Sequence, residues 1–386
     1  MDFEGSKYYE LNRILLLLIA KIITSTKDME VMLRTMSLAV PAVIIIVKYI
    51  TFLLLPASIK KLMELVQNDW NVLKDAKELE IIQKYAHFGR LCTIIFSVFG
   101  YACVFGVLIT IYIPSILDIV APLNVSRKQK LPIEVEYFIN EQKYFYAIFY
   151  HIYVTLILSI TVILATETLY VSYVHHACGM FKIASYRLQH AFDQDALQIS
   201  SFVRNAMIRT KIIAAIKIHK RALEFYDFLW SKLALSYFIL ILIGVVSLSI
   251  NLFRVFQAIV IVKNTDELLM SSICVAAHLI YIFCGNYAGQ VFIDHSMEVH
   301  ENVYDTQWYR VPLREQKLML FILHRSMHSC KLITGGTFVL SLEGFTSVNN
   351  NHCDILTHFF NGNSNISLQL LATSISYFTV LSSVQN

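Results

Sequence analysis

Five apolar runs divide this chain, at 35–55, 91–113, 145–166, 233–253 and 268–292. An α-helix rises about 1.5 Å per residue, so about 20 apolar residues cross a hydrocarbon core roughly 30 Å thick. In lipid the backbone must satisfy its own hydrogen bonds, which makes helices the expected form of these runs. Composition agrees. The 386 residues are 56% hydrophobic and only 16% charged, where soluble domains carry about 25% charge. Too few charged groups remain to cover a water-exposed surface. The expected fold class is an all-α polytopic membrane protein, with one transmembrane domain over residues 1–386.

Further runs are less regular. Residues 330–348 are apolar but hold Lys331 near the start and Glu343 inside. Residues 366–381 are short and rich in hydroxyls, and 14–23 are too few to span. A charge inside a span is expensive. Lys48 therefore either snorkels to the interface or faces a protein neighbour.

The basic residues orient the spans. Connections 56–90, 167–232 and 293–330 hold 19 Lys and Arg, against 6 in connections 114–144 and 254–267. The positive-inside rule makes the first set cytoplasmic. Asn124 begins a glycosylation sequon in a connection that then lies outside. On this count the N-terminus is also outside. Residues 1–25 make a poor signal peptide, because Asp2, Glu4 and Glu10 open the chain and no cleavage site is evident. An interfacial helix suits residues 8–19 better.

The net charge is only +4, so the basic clusters read as topology rather than nucleic-acid binding. Seven cysteines lack any metal-ligand or redox spacing, which leaves no disulfide framework to expect. Between 203 and 232 a helical pattern continues past a span, with Ile208, Ile212 and Ile216 four apart. The plain reading is a span that extends into the cytoplasm and packs there. A lipid-headgroup or calmodulin-type site is the alternative. Gly285 and Gly289 form a GxxxG whose first explanation is close helix contact. His175, His176, His324 and His328 could suggest a metal enzyme, but the further His and Glu that an oxidative site needs are missing, and no cofactor is expected. A G-protein-coupled receptor is the main rival class, yet no Asp-Arg-Tyr or Asn-Pro-x-x-Tyr stands where that class needs it. A transporter would be expected to carry internal repeats, and none appears.

Several short segments, in order, carry a resemblance. They are residues 8–19, Asp69-Trp-Asn-Val-Leu-Lys-Asp75, Tyr85-Ala-His-Phe-Gly-Arg90 and His175-His-Ala-Cys-Gly-Met-Phe181. There follow His219-Lys-Arg-Ala-Leu223, Gly289-Gln-Val-Phe-Ile-Asp-His-Ser296, Trp308-Tyr-Arg-Val-Pro312, Gln316-Lys-Leu-Met-Leu320 and Ser374-Ile-Ser-Tyr-Phe-Thr-Val-Leu381. Together they resemble the insect odorant receptor family. The resemblance implies nominally seven spans, of which about six are evident here. It implies a subunit that assembles with an odorant co-receptor as a heterotetramer, in the plasma membrane of sensory-neuron dendrites. It implies a volatile odorant held in the outer half of the helices, and a non-selective cation pore lined by the last helix of each subunit.

On that reading Thr373, Ser376, Val380 and Ser383 fall three or four apart and share a helix face, with Val384 one turn past Val380. Small hydroxyls suit a wetted wall and Val a constriction that gates by dewetting. The family's gate matches Val380. Close helix packing is the other explanation for such small residues. Odorant-pocket candidates are Tyr112, Tyr146, Phe149, Tyr150, Tyr153, Ser271, Ser272 and Cys274, all assigned to outer halves. An interfacial aromatic belt explains the aromatics equally well.

Two departures from the family layout stand out. Most of a first span is missing, since 14–23 runs almost directly into Thr24-Ser-Thr-Lys-Asp-Met-Glu30. A polar tract at 349–369 interrupts the last helix, and removing it restores one span of family length. The tract reads as unspliced intron or a gene-model error, with a genuine loop as the alternative. A chain carrying both departures is expected to be a non-conducting copy.

Overall fold

A computed structural model describes residues 29–110, 112, 118–120, 143–192, 201–259, 265–336 and 338–345. Five of its helices are long and apolar enough to cross a membrane. In chain order the helices are α1 (Met29–Leu54), α2 (Pro56–Val72), α3 (Ala76–Thr110), α4 (Phe145–Gln189), α5 (Ser201–Gln257), α6 (Thr265–Tyr304) and α7 (Leu313–Ser326). The crossing helices are α1, α3, α4, α5 and α6. Each contains one of the five apolar runs, except that α1 stops at Leu54 rather than 55 and α3 at Thr110 rather than 113. The 203–232 pattern lies inside α5, an unbroken helix of 57 residues.

Local chemistry sets several boundaries. Pro56 opens α2 at its first turn, where a missing N–H costs nothing, and α1 ends just before it. Asp75 caps α3, accepting from the backbone N–H of Lys77 at 2.7 Å and of Glu78 at 3.3 Å.

The helices outrun the bilayer. At 1.5 Å per residue, α5 is about 85 Å long against a core of about 30 Å. The best-buried residues lie on the basic extensions. Cys178, Phe181 and Leu188 of α4 meet Ile212 and Ala222 of α5, Val299 of α6 and Met319 of α7, all fully buried. Ile212 is thus a core residue, as the plain reading of its helix requires. Charged groups join the same region. Arg187 grips Glu78 with Nε at 2.6 Å and Nη2 at 2.7 Å, and donates Nη1 to the Ala214 carbonyl. Asp69 is shared between His176, at 3.1 Å, and Arg221. Within the apolar runs, by contrast, Val98 is 66% exposed and Leu235 72%, as lipid-facing positions require.

The first part of the run at 330–348 is a hairpin rather than a membrane-crossing helix. Strands β1 (Ile333–Thr334) and β2 (Phe338–Val339) pair antiparallel as a tight hairpin, with Thr334 opposite Phe338. The turn needs Gly335 and Gly336, whose φ values are +58° and +76°. The hairpin is pinned to α5, because Trp230 Nε1 donates to the Ile333 carbonyl at 2.7 Å. Its apolar side chains serve a protein core, with Leu332, Phe338 and Leu340 buried.

The GxxxG pair divides. A Cβ on Gly289 would come 2.2 Å from the Leu340 carbonyl oxygen, while one on Gly285 would meet nothing within 4 Å. The close approach is therefore to the segment after β2, not helix to helix. Gly289→Ala is expected to lower stability by about 1–3 kcal/mol through overpacking. Gly285→Ala should be neutral or gain up to about 1 kcal/mol from helix propensity. Thermal unfolding of both variants in detergent checks the contrast.

Candidate functional site

Two polar clusters stand inside the apolar bundle, one towards each side of the membrane. The outer cluster, on the side that the charge bias assigns to the exterior, joins the start of α1, the end of α5 and the start of α6. Glu267 accepts from both Arg34 and Arg254. Arg254 also donates to the Ser37 hydroxyl at 2.7 Å, and Ser37 donates to Asn251 Oδ1 at 3.0 Å. Asn251 Nδ2 donates to the Ser247 carbonyl at 2.8 Å. The chain of bonds then passes to α6, where His278 lies 2.8 Å from the Ser247 hydroxyl. The other ring nitrogen of His278 sits 2.7 Å from the Cys274 carbonyl, which can only accept. That bond makes Nδ1 the donor and, in the neutral ring, leaves Nε2 to accept from Ser247. Ser37, Ser247 and Asn251 are buried. In low dielectric such groups are costly unless every one is paired, and here they satisfy one another across three helices.

The inner cluster centres on Lys48 of α1, which pairs with Glu167 of α4. Lys48 thus faces a protein neighbour, one of the two expectations for a charge in that run. Glu167 also accepts from the Tyr281 hydroxyl at 2.9 Å and the Tyr237 hydroxyl at 3.4 Å. The Lys48 ammonium lies 5.3 Å from the centre of the Tyr237 ring and 5.6 Å from that of Tyr281, within cation–π range. Beside this cluster is a partly enclosed cleft between α1, α2, α4 and α5. Its floor is apolar, with Leu55, Leu62, Leu169, Leu229, Leu233 and Leu240, while Lys48, Ser58 and Lys232 supply polar groups.

The ligand candidates fall on different surfaces. Phe149 is buried and stacks on Tyr153 with centroids 6.0 Å apart and planes at 15°. Three positions before Phe149 and one after it, Tyr146 and Tyr150 are 67% and 69% exposed. Tyr112 and Ser272 are also exposed. Ser271 is buried, but its hydroxyl donates back to the Glu267 carbonyl at 2.6 Å. Cys274 is half-buried beside His278. Asn124, Thr373, Ser376, Val380, Ser383 and Val384 lie outside the described residues. Sequence reasoning missed Glu167, Glu267 and Arg254 as partners. The available signal was opposite charge at matching depth in different runs.

Comparison with known proteins gives a consistent picture. Residues 28–352 match the family model described as 7tm Odorant receptor. Over 178 residues the chain is 24% identical to Odorant receptor 22c of Drosophila melanogaster, a match that spans 45% of this chain and 42% of that protein. The matched stretch thus covers less than half of the relative's length. Two structures of the olfactory receptor OR5 from Machilis hrabei share the fold. The one in complex with eugenol has a TM-score of 0.66 at 11% identity, covering 95% of this chain and 85% of that one. The other has a TM-score of 0.69 at 12% identity, covering 90% and 84%.

The inner ion pair makes a stability prediction. Glu167→Gln leaves Lys48 buried without its counter-charge, and breaking such a pair from one side costs about 3–5 kcal/mol. The double variant Lys48→Met with Glu167→Gln removes both charges and should recover most of that loss. Unfolding midpoints of the wild type, both single variants and the double variant in one detergent check this.

Proposed function

The chain belongs to the 7tm odorant receptor family, and on that premise we propose that it binds a volatile organic molecule and, with a co-receptor subunit, gates a non-selective cation pathway in the plasma membrane of olfactory neurons. The observation that carries this reading is the family match over residues 28–352. The shared fold with OR5, whose complex with eugenol is known, supports a small and mostly apolar ligand. No bond is made or broken in the proposed action, and no cofactor is required.

The proposed pocket is in the outer half of the helices. Of the candidates, Phe149, Tyr153, Ser271 and Cys274 suit it best, because Phe149 and Ser271 are buried and Cys274 adjoins the outer polar cluster. Tyr112, Tyr146, Tyr150 and Ser272 suit a lipid-facing belt. An apolar ligand gains about 0.8 kcal/mol per buried CH₂, and one hydrogen bond to a hydroxyl then orients it. The pore and gate are proposed from sequence alone, with Thr373, Ser376 and Ser383 on the wall and Val380 and Val384 at the constriction. A ring of apolar side chains that closes by dewetting needs only a small displacement to open.

Expression of the full chain with a co-receptor in cells lacking other odorant receptors tests the reading. At least one volatile in a broad panel should evoke a current that the co-receptor alone does not give. Phe149→Leu should raise the half-maximal concentration about tenfold, the equivalent of losing roughly 1.4 kcal/mol of binding. Tyr146→Ala should leave it unchanged. Equal surface labelling with no added response to any volatile would refute the proposal.

A further inference from the structure

The geometry points to a second, non-odorant site: the cleft between α1, α2, α4 and α5 binds an anionic phospholipid of the cytoplasmic leaflet. Its level in the membrane is fixed by three helices at once. The apolar run of α1 stops at residue 55, that of α4 at 166, and that of α5 starts at 233. Cleft residues from Lys48 to Leu62 and from Leu229 to Leu240 bracket two of these ends, and Leu169 to Tyr173 lie within two turns past the third. This is the headgroup level on the basic side of the molecule, where anionic lipids concentrate.

Two independent features ask for a ligand with acceptor oxygens. Tyr170 and Tyr173 both line the cleft and are only 2% and 7% exposed, yet neither hydroxyl has a hydrogen-bond partner. A buried hydroxyl left unpaired is costly, and native structures keep few of them. Nearby hydroxyls do not answer the need, because Thr51 and Ser236 lie 3.1 Å apart and pair with each other. The second feature is charge. Lys232 lines the cleft, and its ammonium lies 5.6 Å from the centre of the Phe228 ring, with Lys61 4.6 Å from the same ring. Among the described residues neither lysine has an acidic partner, whereas Lys48 is already neutralised by Glu167. A phosphate in the cleft, facing Lys232 and the two tyrosine hydroxyls with Lys61 just outside on the same Phe228 ring, supplies what these groups lack. The leucine floor, open on one side to the membrane level, takes the first part of an acyl chain.

Native mass spectrometry of the purified full chain, offered phosphatidylserine or phosphatidylcholine of the same chain length, tests the assignment. Phosphatidylserine should be retained about tenfold over phosphatidylcholine, and Tyr173→Phe and Lys232→Gln should each reduce that retention several-fold. Tyr173→Phe removes an unpaired hydroxyl, so without added lipid its melting temperature should equal or exceed that of the wild type. Lipid-dependent stabilisation should be lost at the same time, which a merely structural role would not produce. Equal retention of the two lipids would leave an apolar slot with no headgroup recognition and overturn the proposal. So would unchanged retention in both variants. Displacement of phosphatidylserine by excess inorganic phosphate would assign the site to a free anion and likewise overturn it.

Discussion

The length of the helices relative to the bilayer governs the rest of this structure. Helices of 45, 57 and 40 residues cannot be contained in a core about 30 Å thick, so α4, α5 and α6 continue into water on the basic side. Water drives apolar burial there, and that is where Phe181, Ile212, Leu188 and Met319 form a closed core. Inside lipid the same force is absent, since acyl chains are as apolar as leucine, and helix association falls to packing and polar bonds. The bundle is accordingly welded beyond the membrane on its basic side and pinned in the membrane by two polar clusters.

Helix α5 touches every part of this arrangement. Its outer end carries Asn251 and Arg254 into the outer cluster. Further inward Tyr237 reaches Glu167, and Leu229, Leu233 and Leu240 floor the lipid cleft. Trp230 holds β1, and the ring of Phe238 sits where a Cβ on Gly335 would have to go. The hairpin leads into the part of the chain to which the pore is assigned. One rigid element thus adjoins the proposed odorant level, the inner leaflet and the root of the C-terminal segment.

Hydropathy made the five crossing helices legible because each run has one character along its whole length. It misread 330–348 because apolar side chains look alike whether they face lipid or a protein core. Leu332, Phe338 and Leu340 take the second course, and the two glycines that turn the chain outweigh the hydrophobic run. The GxxxG was half legible, since spacing picks out a small-residue face without showing which glycine is approached. Phe149 with Tyr153, and Tyr146 with Tyr150, are both spaced four apart, and the sequence does not say which pair points inward. Lys48 was recognised as needing a partner, but pairings between residues far apart in the chain leave no periodic trace.

The Lys48–Glu167 pair also has a temporal side. The two residues are 119 positions apart, and ribosomes add about 5–20 residues per second. For roughly 6–24 s, on that rate, α1 has entered the bilayer and its counter-charge has not yet been synthesised. A lone lysine near a helix centre costs about 2.5–3.5 kcal/mol to insert, while each apolar neighbour returns only about 0.3–0.6. The nascent helix is held in the membrane by its leucines, isoleucines and valines while its ammonium waits. The Lys48–Glu167 contact is therefore a late one, closed only after α4 has been made, and until then α1 depends on its apolar side chains alone.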